Sequence, residues 1–192
     1  IDQFPDPPNA HFLLEPNGRN TGPAIAMAAL HCAAVHGPAA VMFVLPADHL
    51  IPDTRAFVAC AMEAAQFAQQ GQLVVFGIHP SGPDTGFGYI EVEHVARESQ
   101  HVLRFVEKPD LPTAQEYLAT GRYYWNSGMF CFTAATILDA LARHAPHALE
   151  AARHAFDARV TAGEATRFDT HLFGLQPNIS IDFAVMEKAD NV

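Results

Sequence analysis

Apolar blocks alternate with alanine-rich blocks over the first half of the chain. The continuous apolar run at 39–45 ends at Pro46 and predicts a central strand covered on both faces. The run at 72–78 predicts a second buried strand. Alanine-rich segments at 23–35 and 57–70 predict helices, and the first has the expected proline near its start and Gly-Pro after its end. This alternation predicts an α/β sandwich with a mostly parallel central sheet.

Shorter strand patterns fill the middle of the chain, and helical patterns return towards its end. The strand candidates are GYIEVE (88–93), HVLRFVEK (101–108) and GMFCF (128–132), with a short helix at 113–118. Later helices are expected at 134–143, at 146–162 and from Ser180 onwards. The denser strands predict a mixed or antiparallel addition to the sheet. Because there is no repeat, low-complexity tract or long linker, residues 1–192 are expected to form a single domain or part of one.

The composition is that of an acidic globular protein. The chain has 192 residues, and 49% of them are hydrophobic, which is enough for a sizeable core. The formal net charge is -10, and no cluster of basic residues interrupts the acidic balance. A nucleic-acid partner or an anionic membrane surface is therefore not expected.

The cysteines and the chain start bear on the location of the protein. Cys32, Cys60 and Cys131 lie far apart in apolar surroundings, which favours reduced thiols over a disulfide framework. No apolar run reaches membrane-spanning length, and the first residues lack the features of a signal peptide. The expected location is the cytoplasm. The start lacks a methionine and is typical of the middle of a longer chain.

Two carboxylates are candidates for metal binding. Asp48 follows the first buried run in VLPADH, and Asp182 lies in the first turn of the last predicted helix, in SIDFAVMEK. Ligands of α/β sheets gather at the carboxyl ends of strands, and carboxylate oxygens suit Mg²⁺. Each residue also fits a structural role, Asp48 as a cap and Asp182 as an acid that favours a helix start. A metal site therefore requires that the two meet in space.

Three further segments place candidate ligands beside predicted strands. In TGFGYIEV, Gly88 allows a ligand to approach the backbone. In VEKP, Lys108 can hold a phosphate and Glu107 can accept sugar hydroxyls. In WNSGMF, Asn126 can donate and accept hydrogen bonds at once. The structural alternatives are a loop before a hairpin, an exposed Glu–Lys pair and a turn.

The segment EPNGRNTGPAIA leads from a loop into the first helix. The free N–H groups of a helix start attract anions, and the carboxylate of Glu15 could accept two donors from a guanine edge. The structural alternative is a helix cap provided by Asn20 or Thr21.

In their order along the chain, these motifs resemble the mannose-1-phosphate guanylyltransferase family, including the guanylyltransferase half of bifunctional type II mannose-6-phosphate isomerases. The motifs are EPNGRNTGPAIA, FVLPADH, FGI, TGFGYIE, VEKPD, WNSGMF and SIDFAVMEK. The resemblance runs from about Leu13 to Lys188, and the motifs WNSGMF and SIDFAVMEK make it specific. It implies a Rossmann-like nucleotidyltransferase fold. It also implies an Mg²⁺-dependent reaction in which GTP and mannose 1-phosphate give GDP-mannose and pyrophosphate. The GDP-mannose would serve polysaccharide biosynthesis.

The resemblance also implies residue roles, with Lys108 and the two aspartates as the catalytic residues. The residues expected to hold Mg²⁺ are Asp48 and Asp182. The residues expected to contact mannose 1-phosphate are Lys108 at the phosphate, and Glu107, Asn126 and the backbone of Gly88 at the hydroxyls. The residues expected at the nucleotide are Glu15, Asn20 and Thr21, with Arg19 on the phosphate side.

The chain departs from the family pattern in three respects. Family members begin with a loop of the form GGxGxRLWPLSR that wraps the triphosphate, and nothing in the chain matches it. The β-helical and cupin-like parts that end longer members are missing too. We therefore expect a partial domain with little or no turnover on its own. Gly22 replaces the alanine of the usual NTAPA pattern, a small change expected to keep the loop but to loosen it.

Two other functions remain open on the sequence. One is a non-catalytic module that binds a nucleotide sugar and regulates a partner. The other is a related transferase that uses another NTP or another hexose 1-phosphate. The oligomeric state is open as well, with a homodimer as one candidate.

Overall fold

The computed structural model describes residues 10–93 and 99–192. The elements, in chain order, are β1 (Phe12–Leu14), α1 (Thr21–His36), β2 (Val41–Val44), α2 (Thr54–Gln69), β3 (Val74–Ile78), β4 (Tyr89–Val92), β5 (Val102–Val106), α3 (Leu111–Thr120), β6 (Tyr123–Thr133), α4 (Ala134–His144), α5 (Pro146–Asp157), β7 (Val160–Ala162), β8 (Ala165–Arg167), α6 (Thr170–Gly174) and a π-helix, Asp182–Met186. The order of helices and strands predicted for the first half is confirmed. Within the described ranges, no helix is long and apolar enough to cross a membrane.

The long strand β6 is the centre of the larger sheet. Trp125 lies opposite both Tyr89 of β4 and Ile78 of β3, so these two strands flank β6 on opposite sides. β2 pairs with the second half of β6, on the β4 side, and β5 extends the sheet beyond β4. All of these pairings are antiparallel.

The prediction of a mostly parallel sheet is therefore wrong for the described pairings. β2 and β3 run in the same direction, as a strand–helix–strand pattern requires, but each pairs with β6 instead of with the other. The parallel pair in the described residues is β1 with β8, in a separate three-stranded sheet. The order of strands and helices along the chain predicts the direction in which β2 and β3 run. It does not predict their pairing partner, because β6 lies much later in the chain.

The three-stranded sheet corrects a second prediction. The helix expected at 146–162 ends at Asp157, and β7 then pairs antiparallel with β8. Gly163, with a φ of 59°, makes the turn between the two strands. Thr166 of β8 is fully buried, and its hydroxyl shares hydrogen bonds with Thr161 and His11. The β-branched residues and the glycine were the local signals for a hairpin.

Helices cover both faces of the larger sheet, which confirms the sandwich. Phe130 and Phe132 of β6 belong to the main core with α1, α4 and α5, whereas Cys131 between them packs under α2. This alternation follows from the two-residue period of a strand. The predicted full cover of the first strand is wrong in one respect, because Phe43 remains 39% exposed on the α2 side.

Candidate active site

A polar cleft of about 740 Å³ lies where the end of β5, the start of α1 and the π-helix come together. Its lining residues are Asn20, Thr21, Glu107, Lys108, Asn178, Ile179, Ser180, Asp182, Phe183 and Lys188. The cleft thus joins three of the sequence motifs that are far apart along the chain. Five of the predicted site residues line it directly: Asn20, Thr21, Glu107, Lys108 and Asp182.

Two of the cleft residues have strained backbones. Lys108 has a φ of 41° and Asn20 a φ of 68°, and they are the non-glycine residues with positive φ in the described ranges. Such conformations cost on the order of 1–3 kcal/mol each and persist where the surrounding structure enforces them. At Lys108 the enforcement comes from the next residues, since Pro109 is buried and Asp110 accepts a hydrogen bond of 3.0 Å from the N–H of Thr113 to cap α3.

Asp182 is a largely buried carboxylate with one hydrogen-bond donor from a side chain. Nδ2 of Asn126 donates to its Oδ1 at 2.8 Å. Burial raises the pKa of Asp182, the charge of Glu107 raises it further, and the Asn126 hydrogen bond acts in the opposite direction. Burial, followed by the charges of Asp182 and Glu107, also raises the pKa of Glu187. The three carboxylates therefore repel one another, and a cation would relieve this repulsion.

Asn126 lies within β6 and not in the turn that the sequence allowed as an alternative. Its backbone N–H donates to the carbonyl of Gly88 at 2.8 Å, which joins β4 to β6. Its side-chain Oδ1 accepts from the N–H of Gly128 at 3.2 Å, so the amide is held at both ends. Asn126 thus orients Asp182 through one N–H of its side-chain amide. The second N–H of that amide can donate to a ligand.

Gly88 makes room for the carboxylate of Glu107. A Cβ at Gly88 would lie 2.9 Å from Oε2 of Glu107 and 3.7 Å from Cβ of Asn126. The other oxygen of Glu107, Oε1, lies 3.3 Å from Nζ of Lys108. The predicted sugar-side residues are therefore neighbours in the structure, although their contact with a sugar remains a prediction.

The start of α1 is tied to the loop that precedes Asp182. The N–H of Ile181 donates to Oγ1 of Thr21 at 2.9 Å, and the N–H of Gly22 donates to the carbonyl of Ile179 at 3.0 Å. A Cβ at Gly22 would lie only 2.6 Å from that carbonyl oxygen. The absence of a Cβ therefore permits close contact between the two segments, and the expectation that glycine loosens the loop stays a prediction. Thr21 uses its hydroxyl to position the Asp182 segment.

The side chains fit a divalent cation at Asp182 but do not form a complete cage. In the described ranges, no three His, Cys, Asp or Glu side chains converge on a possible metal position. Asp48 lies in the exposed turn after β2, at the same edge of the sheet, since Pro46 packs against Gly128. Asp48 does not line the cleft, and its pairing with Asp182 remains a prediction. Mg²⁺ commonly takes one or two carboxylates and completes its shell with substrate phosphates and water.

Glu15 and Arg19 shortly precede the cleft residues Asn20 and Thr21 along the chain, but they do not line the cleft. Desolvation by neighbouring groups raises the pKa of Glu15, although the residue is exposed to solvent. Nη2 of Arg19 lies 3.6 Å from the position of a Cβ on Gly174, so Arg19 extends towards α6. Their roles at the nucleotide remain predictions.

The sequence reasoning missed three polar cleft residues: Asn178, Ser180 as a ligand, and Lys188. Asn178 lies in a loop without a regular pattern, so no local signal identifies it. Lys188 could have been identified from the sequence, because it is one of two lysines in the chain and it ends the motif SIDFAVMEK. In the structure both lysines line the cleft.

An α/β sandwich with a polar cleft at strand ends is an architecture in which nucleotide and phosphate ligands bind outside the sheet. A family model described as nucleotidyl transferase matches residues 3–170, and the chain belongs to this family. The predicted nucleotidyltransferase fold is thereby confirmed.

Similar proteins span nearly the whole chain. Xanthan biosynthesis protein XanB of Xanthomonas campestris pv. campestris is 50% identical over 177 residues, covering 92% of this chain and 38% of the relative. Mannose-1-phosphate guanylyltransferase of Klebsiella pneumoniae is 46% identical over 182 residues, covering 93% and 38%. The crystal structure of mannose-6-phosphate isomerase from Helicobacter pylori matches with a TM-score of 0.86 and 37% identity, covering 94% of this chain and 70% of that chain. The chain thus spans well under half of the two curated relatives.

Proposed function

We propose that this chain contributes the sugar-phosphate and nucleotide contacts of a nucleotidyltransferase that makes GDP-mannose and pyrophosphate from GTP and mannose 1-phosphate. The observation that carries the proposal is the convergence of Glu107, Lys108 and Asp182 on one cleft from motifs far apart in the chain. The similarity to the mannose-1-phosphate guanylyltransferase of Klebsiella pneumoniae supports the same reaction.

The chemistry asks the protein for positioning and charge, and not for covalent catalysis. A phosphate oxygen of mannose 1-phosphate forms a bond to the α-phosphorus of GTP, and the bond from that phosphorus to the α,β-bridging oxygen breaks. Lys108 would orient the attacking phosphate, and Glu107 would accept hydroxyl protons of the sugar. Asn126 would hold Asp182 in place through the 2.8 Å hydrogen bond.

Mg²⁺ fits this cleft as the proposed cofactor. Bound there, it would offset negative charge on the phosphates. Asp182 would be its principal protein ligand, with Asp48 as the proposed second, because a cation there would relieve both the burial of the Asp182 carboxylate and its repulsion from Glu107, which together raise its pKa. A calorimetric titration of the protein with Mg²⁺, in the presence and absence of GTP, tests this separately from turnover.

The test of the function is pyrophosphate release by the natural protein with Mg²⁺, mannose 1-phosphate and each of the four NTPs. Release with GTP alone supports the proposal, whereas release with another NTP identifies a related transferase. Release with none of them, from folded protein, favours a nucleotide-sugar-binding module. Conversion of mannose 6-phosphate is assayed in parallel, because the Helicobacter pylori structure is named as an isomerase.

Turnover by the 192-residue chain alone is a separate question. We propose that it is very low, since none of its sequence matches the Arg-containing triphosphate loop of the resembling family. The same pyrophosphate assay, run on the isolated chain at equal concentration, tests this.

A further inference from the structure

Both lysines of the chain lie in the candidate active site. The sequence has two lysines and nine arginines, so lysine is the rarer cation. Lys108 and Lys188 both line the cleft, and no arginine of the described ranges does. The cations that line the cleft are therefore lysine ammonium groups, which are compact point charges, and not planar guanidinium groups.

The two lysines differ in their partners. Nζ of Lys108 lies 3.3 Å from the Glu107 carboxylate. Nζ of Lys188 donates a long hydrogen bond of 3.5 Å to the carbonyl of Ala184, and no carboxylate of the described residues lies within ion-pair distance of it. The charge of Lys188 partly offsets the raised pKa of the neighbouring Glu187. An ammonium group has three donors, so Lys188 has donors left for a ligand.

The charges of the cleft show what kind of ligand Lys188 suits. The charged lining residues are two carboxylates, Glu107 and Asp182, and two ammonium groups. Lys108 is already paired, and a divalent cation at Asp182 would leave Lys188 next to an increased positive charge. The carboxylates and ammonium groups of the lining balance, so with the cation bound the cleft would attract an anion with several oxygens, and a phosphate group matches this charge and the free donors of Lys188.

We propose that Lys188 binds a phosphate group of the substrates, as the second ammonium group of the cleft beside Lys108. The inference rests on the proposed function for the identity of the substrates. The phosphate could belong to mannose 1-phosphate or to the triphosphate, and kinetics with each substrate varied in turn separates these two sources.

The kinetic test compares Lys188→Gln and Lys188→Arg with the unchanged natural protein. Loss of a charge-assisted hydrogen bond predicts a decrease in kcat/KM of about 10- to 100-fold for Lys188→Gln. If kcat/KM decreases for mannose 1-phosphate alone, the phosphate is that of the sugar; a decrease for GTP alone assigns it to the triphosphate. Lys188→Arg keeps the charge and should recover part of the loss. Unchanged values for both substrates in Lys188→Gln overturn the inference.

A labelling experiment on the unchanged protein needs no turnover and no folded variant. An amine-directed acylating reagent is applied with and without pyrophosphate or mannose 1-phosphate, and peptide mass spectrometry follows Lys188 and Lys108 separately. At least one probe should slow the modification of Lys188 several-fold. If neither probe slows it, the inference is wrong even where the protein is an active transferase.

The control variant is Arg153→Gln, which removes one positive charge from the exposed surface of α5. It should leave kcat/KM unchanged, which excludes a general effect of net charge. Failure of the function and failure of the inference are distinguishable. A natural protein that releases no pyrophosphate but shows protection of Lys188 disproves only the function.

Discussion

Two groups of charged side chains lie beside the strands β4, β5 and β6, and they use charge in opposite ways. The first is the arginine–tyrosine cluster, formed by Glu91, Arg104, Tyr117, Arg122 and Tyr123. The second is the cleft. In the cluster, the carboxylate of Glu91 forms ion pairs with Nε of Arg104 at 3.3 Å and with Nη2 of Arg122 at 3.0 Å. Arg104 also donates a hydrogen bond to the hydroxyl of Tyr123.

The cluster is complete without a ligand. Its two tyrosine rings stack at a centroid distance of 3.9 Å, and Cζ of Arg104 lies 5.9 Å from the centroid of each. Opposite charges meet, and the guanidinium group of Arg104 lies within cation–π distance of both rings. This arrangement stabilises the fold and leaves little for a substrate to contribute.

The cleft is incomplete without a ligand. Asp182 has a raised pKa and one side-chain donor, and the backbones of Asn20 and Lys108 are strained. Lys188 has no carboxylate of the described residues at ion-pair distance. Structural clusters and binding sites can share residue types, and the difference lies in whether their groups satisfy one another.

The largest expected effect comes from Asp182→Asn. The variant keeps the shape of the side chain but removes the charge that would hold Mg²⁺, so turnover should decrease about 1,000-fold, which corresponds to the several kcal/mol expected of such a site. Stability at neutral pH should be unchanged or higher, because the folded state disfavours this carboxylate in its ionised form. Pyrophosphate release and urea unfolding measure the two quantities.

Asp157→Asn is the matched control, since Asp157 is an exposed acid at the end of α5. It should leave both quantities unchanged. If Asp182→Asn instead destabilised the protein and retained turnover, Asp182 would belong with the structural cluster and the comparison would fail.

A pair of glycine variants sharpens the comparison within the cleft. Gly22→Ala places a Cβ 2.6 Å from a backbone carbonyl oxygen, so the loop before Asp182 must shift, at about 1–3 kcal/mol of stability. Gly88→Ala places a Cβ 2.9 Å from the end of the Glu107 side chain, which can rotate away. It should raise KM for mannose 1-phosphate with a smaller loss of stability. Equal unfolding free energies for the two variants would contradict this reading.

The sequence predicted the elements well where a pattern was local and repeated. The alanine-rich helices and the apolar runs of β2 and β3 lie where expected, because their periodicity and their proline and glycine signals depend on near neighbours. The pairing of strands was not local. β6 lies between β2 and β3, and no pattern in either segment indicates that arrangement.

The same distinction holds for the candidate site. The motifs identified Glu107, Lys108 and Asp182, which the structure brings to one cleft. They could not show that Asn126 uses its amide to hold Asp182, or that Thr21 uses its hydroxyl to hold the segment before it. Both hydrogen bonds join residues distant in sequence, so only the fold reveals them.

Glu91→Gln tests the structural side of the comparison. Glu91 is 13% exposed and faces two arginines, so loss of its charge should lower the unfolding free energy by about 1–2 kcal/mol. The kcat/KM for both substrates should stay the same, because the cluster does not line the cleft. Glu150→Gln, an exposed acid of α5, is the control and should change neither.

The smallest expected effect is a difference between Lys108→Gly and Lys108→Ala. Both variants remove the ammonium group and should weaken the use of mannose 1-phosphate to a similar extent. Only glycine relieves the strain of a φ of 41°, so Lys108→Gly should be more stable than Lys108→Ala by about 1 kcal/mol. Urea unfolding of the two variants measures this difference directly. A more stable Lys108→Gly would show that backbone strain distinguishes the cleft from the cluster in addition to its unpaired charges. If the two variants are equally stable, the contrast between the two regions rests on charge alone.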